Sequence, residues 1–193
     1  MNKKTIVLIC GNMRSGKDSV ADMLMEELDN IKRTDITSYL KRGVAKMLGI
    51  SVKELEYIKD NGFILTENQA GDNLSVVTPR RILQHQADMC RPYLTCEKAM
   101  EELLSEDRDY YLLTGVRLPN EVDLIKRVHA DKRVIVLKVE RTDFEFKSDD
   151  KQHKTETLVD LIEHDYLIQA KDLDELKEKV GEFKNYLFKK TKI

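Results

Sequence analysis

The chain of 193 residues is long enough for one domain with a sizeable core, and we predict a single domain over residues 1–193. Charged residues make up 35% of it and hydrophobic residues 41%, a balance typical of a globular protein with a strongly hydrated surface. The formal net charge of −2 provides no basic field for a nucleic acid polymer. Cys10, Cys90 and Cys96 form no C-x-x-C pair, which argues against a disulfide framework or a zinc site and favours a cytoplasmic location. No segment reaches membrane-spanning length, so we predict no membrane partner.

In the first half of the chain, apolar runs alternate with amphipathic helical patterns. The predicted elements are a strand at Thr5–Cys10, a helix from near Asp18 to Leu28, a strand at Thr34–Ser38, a helix at Tyr39–Leu48 and a helix at Val52–Lys59. Residues 62–78 show no clear periodicity, and an irregular piece of that length inside a compact domain is often functional. We therefore predict an irregular segment there, on the acceptor side of a site.

The second half continues the alternation of strands and helices. Its predicted helices start at Thr78-Pro79, running towards Arg91-Pro92, at Thr95 and at Leu118, with a short helix at Thr155–Glu163. Its predicted strands are Tyr110–Leu113, Val134–Val139 and Tyr166–Ile168. A last helix is predicted to bury Leu173, Leu176, Val180, Phe183 and Leu187. Strands that alternate with helices predict a parallel sheet covered on both faces. The fold class predicted is thus three-layer α/β with about five parallel strands.

The stretch Gly11–Ser19 has the pattern G-x-x-x-x-G-K between the first strand and the first helix, the context of a phosphate-binding loop. Gly11 and Gly16 permit backbone angles that turn consecutive N–H groups inward, and the helix terminus adds further donors. Lys17 would reach the terminal phosphates of ATP. The predicted nucleotide-binding residues are Gly11, Met13, Arg14, Ser15, Gly16, Lys17, Asp18 and Ser19.

Asp18 departs from the usual loop pattern, in which a Ser or Thr hydroxyl at this position binds Mg²⁺. A carboxylate beside a triphosphate is repelled unless a cation lies between them, which favours a metal-binding role. The position also suits a residue that caps the helix. Both interpretations stay open.

Four further motifs follow in order, at Thr37–Ala45, Thr78–Gln84, Gly115–Glu121 and His153–Glu156. With these motifs and the loop, the chain resembles the phage-type deoxynucleoside monophosphate kinases, which belong to the P-loop kinases. The resemblance implies a P-loop kinase fold with a lid at about 141–155, ATP and Mg²⁺ as cofactors, a nucleoside monophosphate as second substrate, and a homodimer, which is frequent in these families.

Phosphoryl transfer between two anions is mainly a matter of positioning and charge neutralisation. Arginine suits the acceptor phosphate because its planar fork holds two oxygens at once. Arg117 follows a strand end, where ligands bind in open α/β sheets, and Arg141 opens the segment that would close over the phosphates. The predicted catalytic residues are Lys17, Asp18, Arg117, Glu121 and Arg141. The predicted acceptor-binding residues are Lys41, Arg80, Gln84, Arg117, Glu121, His153 and Glu156, with Arg80 preferred to Arg81.

One position departs from the pattern that the resemblance implies. The family usually has Asp immediately before V-R, and this chain has Gly115. The change implies reduced activity, a different acceptor, or a compensating carboxylate such as Asp18 or Glu121. The alternatives are therefore a P-loop kinase for another small phosphorylated metabolite, of the phosphomevalonate kind, and a nucleotide-binding protein without transferase activity.

Overall fold

A computed structural model describes residues 3–59, 62, 64–67, 74–143 and 157–189. The strands are β1 (Thr5–Cys10), β2 (Ile31–Asp35), β3 (Ile64–Glu67), β4 (Leu74–Val77), β5 (Tyr110–Val116), β6 (Arg133–Arg141) and β7 (Tyr166–Ala170). Five of them form a parallel sheet in the order β2-β5-β1-β6-β7. All six residues of β1 are buried because both of its edges are paired and both of its faces are covered.

Helices cover both faces of this sheet. They are α1 (Lys17–Glu27), α2 (Ser38–Leu48), α3 (Val52–Ile58), α4 (Pro79–Cys90), α5 (Tyr93–Leu103), α6 (Pro119–Val128) and α7 (Leu173–Lys189), with a 3₁₀ turn at Val159–Leu161. One core cluster packs α1 and α7 against the sheet, and the other packs α5 and α6 against the opposite face. The predicted three-layer α/β fold is confirmed.

A third, smaller cluster joins α2, α3 and α4, with Val44, Ala45 and Leu55 at its centre. The α2 helix follows the carboxyl end of β2, and the glycine loop follows the carboxyl end of β1. Because the five strands are parallel, these ends lie at one edge of the sheet. That edge and the α2–α4 group enclose the cleft described below.

Some boundaries and surfaces differ from the prediction. The second strand is Ile31–Asp35 rather than Thr34–Ser38, because Ser38 already belongs to α2. The segment 62–78 is not irregular throughout, since β3 and β4 pair as an antiparallel ladder within it. Leu173 was expected in the core, but it is 53% exposed at the first position of α7.

Two further predictions concern the C-terminal half. Most of the proposed lid, with His153 and Glu156, lies outside the described residues. Within the short helix predicted at Thr155–Glu163, the described residues form a 3₁₀ turn at Val159–Leu161. Within the described part of the chain, no helix is both long and apolar enough to cross a membrane.

Candidate active site

The glycine loop between β1 and α1 has the backbone of an anion cradle. Gly11 adopts φ +153°, and a Cβ there would lie 2.4 Å from the Val139 carbonyl oxygen. Gly16 is the residue before α1 and has φ +94°, while Arg14 has φ +63°, an uncommon value for a residue with a side chain. The buried Ser15 hydroxyl has no hydrogen-bond partner among the described residues. An unsatisfied buried hydroxyl and a loop that excludes side chains both fit an anionic ligand.

Lys17 lies at the mouth of this loop and is 8% exposed. Its ammonium donates to the main-chain carbonyl of Asn12 at 3.0 Å, which folds it back over the loop. Burial, with the positive charge of Arg117 nearby, lowers the pKa of Lys17 to about 8. A buried cation beside a second cation is stabilised when an anion binds between them.

Asp18 does not cap α1, since no side chain caps that helix and Gly16 precedes it. The capping interpretation is therefore wrong. The Asp18 carboxylate accepts a hydrogen bond from Arg33 at 2.8 Å, and Arg33 also pairs with Asp22. Asp18 is 70% exposed at the rim of the cleft, and its role as a metal ligand stays a prediction.

The loop opens into a cleft of about 820 Å³. Its cationic side chains are Arg14, Lys17, Arg33, Lys41, Arg42, Lys59, Arg80, Arg91 and Arg117, and its carboxylates are Asp18, Asp35 and Glu56. Nine cationic groups against three carboxylates, in a chain with a net charge of −2, concentrate positive charge in one place. Such a cleft attracts anions.

Arg117 and Arg80, both predicted to bind the acceptor, lie on the wall of the cleft. Burial and the neighbouring charge of Arg91 lower the pKa of Arg117 to about 10, and Arg80 contributes in the same direction. Arg81 is exposed and does not line the cleft. An arginine whose charge is disfavoured by neighbouring arginines is a suitable ligand for a phosphate.

Glu121 occupies a different place from the one expected. It is fully buried, does not line the cleft, and accepts hydrogen bonds from the main-chain N–H groups of Arg117 and Leu118 at 2.9 and 3.1 Å. Both of its oxygens also pair with Arg91, which in turn donates to the carbonyl of Gly115 at 3.0 Å. The Glu121 side chain thus holds the turn after β5 by binding the main-chain N–H groups of that turn. Nothing in its surroundings supports a contact with a sugar or a metal.

Arg91 is a site residue that the sequence did not indicate. Its side chain is 6% exposed, and it ties the end of α4 to the turn after β5 across 30 positions of the chain. Nothing local distinguishes it from a surface arginine at a helix end.

Lys41 and Gln84 also line the cleft. The Lys41 ammonium lies 3.0 Å from Glu56 and 3.5 Å from Asp35, so it connects α2, α3 and the end of β2. Arg141, at the end of β6, is exposed, pairs with Asp143 and does not line the cleft. The structure therefore brings Lys17, Asp18, Lys41, Arg80, Gln84 and Arg117 together around the cleft, and Glu121 and Arg141 do not line it.

The residue in place of the expected Asp, Gly115, has a carboxylate beside it. The pairing between β1 and β5 skips Gly115, which has φ +79°. A Cβ built on Gly115 would lie 2.7 Å from Oδ2 of Asp35, the last residue of β2. The nearby carboxylate is therefore neither Asp18 nor Glu121, and the sequence did not indicate it.

The donor set limits how a metal ion could be held. Among the residues that the structure describes, no group of three or more His, Cys, Asp or Glu side chains is arranged to bind one. Mg²⁺ often takes one or two carboxylates and completes its shell with phosphate and water. The carboxylates that line the cleft fit that mode of binding.

No protein-family model and no curated protein sequence matches the chain. Among solved structures, a protein from Chloroflexus aurantiacus described as a candidate kinase is similar over 98% of both chains, with 12% identity and a TM-score of 0.51. A shikimate kinase from Acinetobacter baumannii in complex with shikimate has 14% identity and a TM-score of 0.48 over 99% of this chain and 96% of its own. The APS kinase CysC of Mycobacterium tuberculosis, in complex with AMPPNP and APS, has 16% identity and a TM-score of 0.44 over 97% of this chain and 99% of its own.

Of these three structures, we argue only from the Chloroflexus protein, whose TM-score is 0.51, and its 12% identity limits the argument to the fold. This likeness shows a three-layer α/β fold, in which this chain has a glycine loop of the G-x-x-x-x-G-K pattern between β1 and α1.

Proposed function

We propose that the chain is an ATP-dependent phosphotransferase that moves the γ-phosphate of ATP to a deoxynucleoside 5′-monophosphate. The observation that carries the proposal is one cleft with two chemically different anion sites. The glycine loop with Lys17 supplies one of them, and Arg80 and Arg117, from α4 and the end of β5, supply the other. Two anions held in one cleft are what a phosphoryl transfer between phosphates requires.

The donor half suits the polyphosphate of ATP. The positive φ angles of Gly11 and Gly16 permit main-chain N–H groups to face an anion, and Lys17 supplies a charge that an anion would stabilise. When bound, Mg²⁺ neutralises charge on the β- and γ-phosphates. The cleft carboxylates would hold it, as the sequence predicts for Asp18.

The acceptor half combines cations with an apolar wall. Arg80 and Arg117 suit the phosphate, and the wall consists of Leu40, Val52, Leu83 and Ala87. The amide of Gln84 lies on the same wall and can exchange hydrogen bonds with the edge of a base. A monophosphate with a flat, partly apolar base fits these groups better than a flexible phosphorylated acid does. An acceptor phosphate is ionised at neutral pH, so no protein base is needed.

The experiment is a substrate panel. The purified chain is incubated with ATP, Mg²⁺ and each deoxynucleoside monophosphate, ribonucleoside monophosphate or phosphomevalonate, and the diphosphate product is measured by ³¹P NMR. We expect product with at least one deoxynucleotide and none with a Lys17→Met variant. Product with phosphomevalonate alone would support the metabolite kinase, and ATP binding without any transfer would support the non-catalytic alternative. Either result contradicts the proposal.

The lid expected at about 141–155 stays a prediction. Arg141 at the end of β6 leads into residues 144–156, which include His153 and Glu156 and lie outside the described part of the chain. We propose that Arg141 contacts the transferring phosphate, as an arginine finger does.

A further inference from the structure

One of the cleft carboxylates, Asp35, differs from the others in its surroundings. Asp35 ends β2 at the carboxyl edge of the sheet, and its side chain is 28% exposed. Its Oδ1 accepts hydrogen bonds from the main-chain N–H of Thr37, at 2.8 Å, and from the Thr37 hydroxyl. The Lys41 ammonium lies 3.5 Å from the same oxygen. This oxygen is well satisfied within the protein.

The other oxygen, Oδ2, is placed differently. The hydrogen bond that it receives from the Thr114 hydroxyl is long, at 3.4 Å. It lies 2.7 Å from the point where a Cβ of residue 115 would be, close to the distance between the Cβ and the carboxyl oxygens of an aspartate. Because Gly115 has no side chain, an oxygen from β2 occupies the space that a side chain on β5 would take.

Cations and hydrogen-bond donors surround the Asp35 carboxylate. Burial opposes the charge, but Lys41, the hydrogen bonds from Thr37 and the charge of Arg91 keep the pKa of Asp35 below its usual value. Its negative charge also acts on both Lys17 and Arg117, the cations of the two anion sites. Asp35 therefore lies where the donor and acceptor halves meet.

An ionised carboxylate among these groups repels a polyphosphate unless a cation lies between them. Asp18, the other candidate, is mostly exposed and pairs with Arg33. We infer that Asp35, through Oδ2, binds the Mg²⁺ of bound MgATP, and that residue 115 is glycine because it must leave room for this oxygen. The inference rests on the donor half of the proposed function and deepens it.

Calorimetric titration of ATP, in the presence of Mg²⁺ and in the presence of EDTA, tests the inference without measuring activity. For the native chain we expect Mg²⁺ to tighten ATP binding by roughly tenfold, within the usual range for coupled ligands. For Asp35→Asn we expect metal-free ATP to bind more tightly than to the native chain, because the repulsion is gone, and Mg²⁺ to add less than about twofold. Asparagine keeps an oxygen for the Thr37 N–H group, so the turn is preserved.

Three further variants separate this role from a structural one, with thermal unfolding measured for each. Asp123→Asn, at an exposed carboxylate on α6, should keep the full magnesium effect. Gly115→Ala should lose it while every charge remains, because the added Cβ displaces Oδ2. The exchange Asp35→Ser with Gly115→Asp should restore it, since the carboxylate then comes from β5.

The outcomes are distinguishable. If Asp35→Asn keeps the full magnesium effect, or if Asp18→Asn abolishes it, the inference is overturned and the proposed function survives. If the native chain binds no ATP under either condition, the donor site itself is wrong.

Discussion

The two halves of the cleft that we propose for the donor and for the acceptor are built in different ways. The donor half is one continuous stretch, Gly11 to Asp18, and its geometry comes from main-chain angles at the turn between β1 and α1. The acceptor half comes from four separate parts of the chain, namely the end of β2 with α2, then α3, α4 and the end of β5. Ion pairs hold these parts together, with Arg91–Glu121 the most deeply buried of those described.

This difference has consequences for stability and specificity. A main-chain cradle keeps its shape as long as β1 and α1 are packed. A site assembled from charged side chains depends on each pair, since removing one partner leaves the other buried and unpaired. We therefore expect changes in the acceptor half to affect folding and substrate choice, and changes in the donor half to affect turnover.

The largest expected effect comes from Arg91→Met. It leaves the buried Glu121 without its cation, and loss of one partner of a buried pair costs about 3–5 kcal/mol. Urea denaturation followed by circular dichroism measures this free energy of unfolding. Asp107→Asn, which breaks the exposed pair with Lys4, is the control and should cost about 0–1 kcal/mol. If both variants lose the same small amount, the buried pair does not hold the acceptor half together.

The next largest effect concerns the donor half. Lys17→Met should lower kcat by roughly 10²–10³-fold, the usual cost of removing one group that stabilises developing negative charge. The melting temperature should not fall, because burial already disfavours this cation in the unliganded chain. Steady-state kinetics and differential scanning fluorimetry measure the two quantities, and the control is Lys179→Met, at a partly exposed lysine of α7 that pairs with Glu182. Undiminished turnover would place the donor site elsewhere.

A smaller effect is expected from a substitution in the acceptor half. Arg80→Met should raise the KM for the monophosphate by about 10–100-fold, since a hydrogen bond to a charged group contributes about 1.5–3 kcal/mol. The KM for ATP should not change. The neighbouring Arg81→Met is a matched control, because Arg81 is exposed on the same helical turn. Equal effects from the two variants would mean that general positive charge, and not a placed arginine, attracts the acceptor.

The smallest effect is a dependence on pH. With a pKa of about 8, Lys17 of the unliganded chain loses its charge above that pH, so ATP affinity should fall by up to about tenfold per pH unit. The unfolded chain keeps the proton up to about its ordinary pKa of 10.5, so this residue makes the unliganded fold more stable as pH rises between the two values. Titrations from pH 7 to 9.5 measure the affinity, and Lys17→Met should flatten the profile. A flat profile for the native chain would exclude Lys17 from binding.

Much of the fold follows from local patterns. The buried strands at Thr5–Cys10 and Tyr110–Val116, the glycine loop and the Thr78-Pro79 helix start all depend on neighbouring residues. The second strand was misplaced because Ile31–Asp35 lies at the sheet edge and contains charged side chains, so its pattern is not apolar. The β3–β4 pair was missed because its short strands carry no alternation.

The acceptor half shows where sequence reasoning stops. Arg91 and Glu121 are 30 residues apart, and Asp35 and Gly115 are brought together by the pairing of β2 with β5. Partners at such separations follow from the topology of the sheet and not from any local pattern. The motif at Gly115–Glu121 indicated Arg117, because a position directly after a strand end is a local signal. The same motif could not show whether Glu121 is buried or lines the cleft.

The most direct test of the central claim is a crystal structure with a bisubstrate analogue in which a polyphosphate joins adenosine to a deoxynucleoside, prepared with Mg²⁺. The account predicts that the polyphosphate lies on the main-chain N–H groups of Gly16 and Lys17 and that its far end contacts Arg80 and Arg117. A polyphosphate bound away from the glycine loop, or an analogue that leaves these arginines untouched, would contradict it.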